Sequence, residues 1–328
     1  MLYQNGNHTL TKVLGMRKIK LLYNPNYWSN LTAFFLNSVW DEYFIRTPID
    51  VNTVYNAQED LVFANYLTAD KWIIPWREKG FRVVIDHTWD TWRKDEWVSE
   101  TDLLVIRNYN WPWYNESLWY QSLGYKNNVP HLYNNKSFLM LMNLRKQHRD
   151  MIYNALKPIL NEAIYSYHGR GISLQGATDI DSSDPTWQRY INPDWYNATK
   201  FSVVVESNIT ADPVTHSEKS YKPMAFKHPT ISWASPGLLK YLKNQGFETF
   251  DHCIDESYDD ITDQTQRLSK VCSVINDTMS ILKTDPEYFQ DPLTLNKLDH
   301  NYNLFYNTDM ILKRFKTEII DGIVEFAP

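Results

Sequence analysis

Residues 201–237 read FSVVVESNITADPVTHSEKSYKPMAFKHPTISWASPG, and the reading of this stretch decides the fold. The apolar run Phe201 to Val205, bounded by polar residues, predicts a short buried strand. Glu206, Ser207 and Asn208 follow it, three polar side chains where a parallel strand meets its loop. After Asp212-Pro213, Ser217 is an N-cap residue, and Lys219 and Lys222, three apart, share one face of the first helical turns. His228-Pro229 ends that helix, and Thr230 to Trp233 begins another strand. A strand, a polar tip, a capped helix start carrying cations and a second strand form the arrangement by which open α/β sheets hold a phosphorylated ligand.

Working outward, Lys18 to Tyr23, Phe81 to Ile85, Asp102 to Ile106 and Phe138 to Met142 read as strands, and Val51 to Tyr55 as a further one. Ser29 to Phe44 has apolar residues at helical spacing, and Asp60 to Gly80 carries a helix ending in Glu-Lys-Gly, a C-cap pattern. Asp150 to Ala163, Pro236 to Gln245 and Ile261 to Leu282 read as helices, and Asp285 to Pro328 as two more. Ala163 to Tyr167 and Gly171 to Leu174 make a short strand region. Strands alternating with helices give parallel sheets and an α/β fold class. The polar segment Gly124 to Asn135 is the candidate linker.

The motif VVVESN followed by THSEKSYKPMAFKHPTI resembles the signature of inverting GT-B glycosyltransferases of the fucosyltransferase-like type. It is similar also to glycosyltransferase-like proteins of bacteria, phages and giant viruses. FLMLMNLRKQHR, NPDWYNATKFSVVVES and GFETFDHCIDESYDDITDQTQR resemble further segments of that family, in order, over roughly the second half of the chain. The resemblance implies two Rossmann-like α/β domains facing across a cleft. An acceptor-side domain would span 1–130 and a nucleotide-sugar domain 131–284, with helices of 285–328 crossing back onto the first. It implies a nucleotide-sugar-dependent transferase, inverting and metal-independent, with no cofactor beyond its donor and a glycan or other hydroxyl as acceptor; a cytoplasmic location is expected from the lack of an apolar stretch of signal-peptide length.

Such an enzyme must hold a diphosphate, bind ribose and base, and deprotonate a hydroxyl. Arg145, Lys219 and Lys222 are the candidates for the diphosphate, helped by backbone N–H groups after Ser217. Asn143, Arg149 and Ser217 complete the candidate donor set, with His148 a weaker neighbour; His148 and Arg149 also fit a helix start facing solvent. The ordinary fate of lysines is a solvated helix face, but cations just inside a helix N-terminus oppose its dipole unless an anion sits close by. By resemblance Glu218 binds ribose hydroxyls and Glu206 contacts the transferred sugar; capping and strand termination are their ordinary roles. Asp86 and His87, at the tip of the strand Phe81 to Ile85, are the candidate base, with Asp90 and Glu116 as rivals and turn formation as the plain alternative. Asp179-Ile-Asp181 has the spacing of a metal-binding Asp-x-Asp but lies in the polar DIDSSDP loop, so no metal site is expected.

The 328 residues carry a net charge of -6, which argues against a general nucleic-acid or membrane-surface binder. With 13 Trp and 22 Tyr against 10 Gly, the composition fits rings stacking on sugars, or simply large core residues. Cys253 and Cys272 have no metal or redox spacing and read as reduced thiols. No apolar run has the length of a signal peptide or a membrane span, so no transmembrane segment is expected. A non-catalytic glycan- or nucleotide-sugar-binding protein shares the donor residues. An interaction protein displaying aromatic surface would have no nucleotide affinity.

Overall fold

The structure, a computed structural model, describes residues 18–23, 37–49, 55–65, 69–86, 99–106, 110–127, 136–174, 191–210 and 214–328. The first part runs β1 (Ile19–Tyr23), α1 (Asn37–Tyr43), β2 (Phe44–Pro48), β3 (Asp60–Asn65), α2 (Ala69–Glu78), β4 (Arg82–Asp86), β5 (Leu103–Ile106) and α3 (Trp111–Ser122). Its five strands are parallel, in the order β2-β1-β3-β4-β5. The second runs β6 (Lys136–Met142), α4 (Gln147–Leu156), β7 (Ala163–Tyr167), α5 (Pro193–Asn197), β8 (Thr199–Val205), α6 (Glu218–Ala225) and β9 (Thr230–Trp233). These strands too are parallel, in the order β7-β6-β8-β9. Helices α7 (Leu238–Asn244), α8 (Gln264–Thr284), α9 (Pro292–Phe305) and α10 (Thr308–Phe315) follow, then a π-turn at Lys316–Ile320 and α11 (Asp321–Phe326).

Continuous apolar runs make the inner strands because both faces are covered. On one face of the first sheet Leu22, Val62, Val83, Ile85 and Leu103 pack under Trp76 and Phe81. On the other, Leu21, Leu61, Phe63 and Val84 join a core that continues without a break through Trp40 and Trp113 into the second sheet. Residues 308–327 return to the first sheet: the Phe315 ring lies 5.7 Å from Trp40, and Arg82 Nη1 donates to the carbonyls of Phe326 (2.7 Å) and Ala327 (2.9 Å).

Several elements differ from the sequence reading. Asp60 to Gly80 is a strand and then a helix: Leu61, Val62 and Phe63 are buried in succession, which a strand accommodates and a one-faced helix does not. Its end is as expected, with Gly80 at φ +82°. The helix expected over Ser29 to Phe44 ends at Tyr43, and Phe44 opens β2; residues 51–54 lie outside the described set. Helix α3 went unread because Trp113 to Ser117 are all buried, leaving no polar face to set a period.

Strands β6 and β8 pair only as far as Leu139 opposite Ser202. Beyond that, β6 stays with β7 to Met142–Tyr167 and β8 with β9 to Val205–Trp233. Here the strand order reverses direction, and the two strand ends part. An open parallel sheet makes its ligand crevice at such a point.

Candidate functional site

A cavity of about 310 Å³ opens where β6 and β8 part. Leu139, Leu141, Ser202 and Val204 line its strand side, Trp195 and Tyr196 contribute aromatic rings, and Asn143, Lys146, Arg149, Ser207, Glu218, Lys219 and Lys222 supply its polar groups. Among the described residues, the lining comes from 139–223. Ser202 leads below it: its Oγ lies 2.7 Å from Nδ1 of buried His228, whose Nε2 is 2.8 Å from the Thr199 carbonyl. Burial pushes the His228 imidazole down to about 4.

Ser217 caps α6, in extended conformation, but its Oγ accepts the Lys219 N–H at a long 3.4 Å. The stronger fastening is Glu206, buried at the tip of β8 (1% exposed). Its Oε1 accepts from the Ser217 N–H (2.9 Å) and Ser220 Oγ (2.6 Å). Its Oε2 accepts from Ser217 Oγ (2.6 Å) and the Ser207 N–H (3.0 Å).

Lys219 Nζ donates to Glu218 Oε1 (2.7 Å), Ser217 Oγ (3.1 Å) and Ser207 Oγ (3.2 Å). Burial alone would raise the Glu218 pKa, but the ammonium groups of Lys219 and Lys222 outweigh it and hold the carboxyl at about 2. Lys222 is itself buried, and burial lowers its pKa against the attraction of Glu218 and Glu116. The protein's own carboxylates thus meet much of the cation charge that the sequence reading left for a ligand.

The two arginines of this region go different ways. Arg145 turns outward to Asp150 (2.8 Å) and is not among the cavity's lining residues. Hydrogen bonds from Arg145, then Arg170 and Tyr167, hold the Asp150 carboxyl at about 2. Arg149 turns in: it is 2% exposed, donates to the Leu144 carbonyl (2.8 Å) and Ser207 Oγ (3.4 Å), and its Nε has no hydrogen-bond partner among the described residues. Burial lowers its pKa, opposed by the charges of Glu206 and Glu218. Lys146, which the sequence did not single out, donates to the Ser207 carbonyl (2.7 Å). His148 places Nε2 3.0 Å from the Glu206 carbonyl, and burial lowers its pKa. Asn143 lines the cavity and accepts the Gly169 N–H at 2.8 Å.

Asp86 ends β4, opposite Ile106 of β5. The reversal point of the first sheet lies between β1 and β3, one strand away. His87 and Asp90 lie outside the described residues, as do Asp179 and Asp181. Glu116 is 1% exposed on α3, beside Tyr120 and within electrostatic reach of Lys222, and it is not among the lining residues. Among the described residues no group of three or more His, Cys, Asp or Glu is placed to hold a metal, and no helix is long and apolar enough to cross a membrane. Sequence reasoning missed Trp195, Tyr196 and Ser207 as cavity residues; the adjacent Trp-Tyr pair just ahead of the decisive strand was the available signal.

No family model matches the chain, and no curated protein does. Among solved structures it is similar to one described as an alpha1,3-fucosyltransferase, with 13% identity and a TM-score of 0.45, over 84% of this chain and 92% of that one. A likeness of that size says nothing about what this chain acts on.

Proposed function

We propose that the chain is a GT-B glycosyltransferase that moves a sugar from a nucleoside diphosphate donor to a glycan or other hydroxyl acceptor, with inversion. The observation that carries this reading is the cavity at the β6/β8 reversal, where Lys146, Arg149, Lys219 and Lys222 gather with the start of α6. A diphosphate there meets fixed cations whose hydrogen-bond partners already orient them, so little reorganisation accompanies departure of the leaving group. Trp195 at the lining is the aromatic side chain proposed to meet the base or sugar, whereas the Tyr196 ring stacks on Phe226. In the reaction the acceptor oxygen attacks C1, the bond from C1 to the diphosphate oxygen breaks, and the hydroxyl proton passes to a base. Asp86, at a strand's C-terminal end, is proposed for that last role. On this reading the two sheets are the cores of two Rossmann-like domains, the cations of the chain carry the leaving group's charge without a metal, and Arg145 serves at the rim.

A thermal-shift panel of GDP, UDP, TDP, CDP and CMP, with and without Mn²⁺, tests it. A ligand at a hundred times its Kd adds about 2.7 kcal/mol. Stabilisation by one diphosphate without Mn²⁺ is the expected result; silence across the panel overturns the reading, and a response only with Mn²⁺ overturns its metal independence. A non-catalytic nucleotide-sugar binder is the second reading, favoured by a cavity whose lining, among the described residues, comes from 139–223. Donor consumption that Asp86→Asn abolishes while binding persists would decide for transfer.

A further inference from the structure

We infer that Glu206 is a positioning residue that locks the first turn of α6 to the tip of β8 and so aims Lys219 into the cavity. This rests on the reading above that the cavity holds a diphosphate, and it differs from the sugar contact that the resemblance implied for Glu206. A carboxylate offers about four acceptor sites. Those of Glu206 meet four donors: the N–H groups of Ser207 and Ser217 and the hydroxyls of Ser217 and Ser220. Nothing is left over for a sugar hydroxyl, and Glu206 is not among the lining residues.

What the carboxylate fixes is a pair of backbone segments. Ser207 belongs to the strand tip, and its Oγ accepts from Lys219 Nζ while its carbonyl accepts from Lys146 Nζ. Ser217 belongs to the helix start, and its Oγ accepts from the same Lys219 Nζ. Helix α6 has eight residues, and its cap bond is long. The Lys219 ammonium bridges the same two segments, but only Glu206 bonds the backbone N–H of each, so the separation of the segments and the direction of the ammonium rest on this buried carboxylate.

Glu206→Gln tests this. The change keeps the shape, yet whichever way the amide turns, its NH₂ faces a backbone N–H: that of Ser217 at one position, that of Ser207 at the other. The probe is inorganic pyrophosphate, titrated by calorimetry into the full chain, with amide hydrogen exchange followed over 214–225. In Glu206→Gln the expected results are pyrophosphate affinity reduced by about tenfold or more and faster exchange at 217–221, with exchange in 230–233 unchanged. Ser220→Ala, which removes one hydroxyl donor and leaves both backbone bonds, should lose less affinity. It also serves as the test variant if Glu206→Gln does not fold, when unchanged affinity and exchange would overturn the inference. Equal pyrophosphate affinity in Glu206→Gln and wild type overturns it as well, and a loss confined to sugar-bearing donors would restore the sugar contact. If wild type binds neither pyrophosphate nor any nucleotide, it is the proposed function that fails. The exchange data then decide the locking role alone, faster exchange at 217–221 supporting it and no change overturning it.

Discussion

His228 and Glu218 titrate in different windows, which makes their contributions separable. His228 stays neutral in the fold down to about 4, against an ordinary value of 6.5. The unfolded chain takes up that proton first, so the stability it supports is full above pH 6.5 and falls as pH drops through about 4, by roughly 1.4 kcal/mol per unit. Glu218, held at about 2 against 4.5, contributes fully above pH 4.5 and loses its share only below that. Urea unfolding of wild type between pH 7 and 4.5 should therefore show a decline that His228→Gln flattens, although the half-buried His148 leaves a remainder. An unchanged slope in His228→Gln would refute the assignment. At this scale the Ser217-Glu218-Lys219 motif was legible because an N-cap and its neighbours are contiguous in sequence. The inward turn of Arg149 and the outward turn of Arg145 were not. Both flank the start of α4, and only packing against Leu144 and Ser207 separates them.

Beside the cavity, the turns that carry the lining residues Asn143, Lys146 and His168 touch backbone to backbone. A Cβ on Gly169 would lie 2.3 Å from the Arg145 nitrogen and 2.8 Å from its Cα, and the Gly169 N–H bonds the Asn143 carbonyl. Gly169→Ala must therefore push the 143–146 turn aside. A loss of about 1–3 kcal/mol in a chemical unfolding curve is expected, together with weaker binding of whichever nucleotide stabilises wild type. Unaltered stability and binding would show that the turns give way without consequence. Gly169-Arg170-Gly171 was visible in sequence as a glycine-rich fragment, yet a close approach between residues 24 positions apart has no local signature. The alternation of apolar runs with helices did announce parallel sheets. It could not announce where β6 and β8 stop pairing, because both strands stay apolar past that point and their hydrophobic pattern does not change where they part.

Across the whole molecule, one core spans both sheets, and the helices after residue 308 close it. Phe315 is fully buried against Trp40, which also touches Phe44 and Phe63. Phe315→Ala should cost about 3–5 kcal/mol and raise hydrogen exchange at 40–44 as well as at 313–320. A loss of protection confined to 313–320 would mean that the first sheet does not rely on this contact. The same closure shapes how the chain is made. Phe326, whose carbonyl Arg82 bonds, comes 244 positions after it in the chain. At roughly 5–20 residues per second that interval is about 12–50 s on the ribosome. During it the face of Leu21, Leu61, Phe63 and Val84 has Trp40 against it but still lacks the part of its core that Phe315 and the last helices bring. The first sheet thus emerges as a ready substrate for chaperones and for its own aggregation, and it is released from both when the last helices arrive.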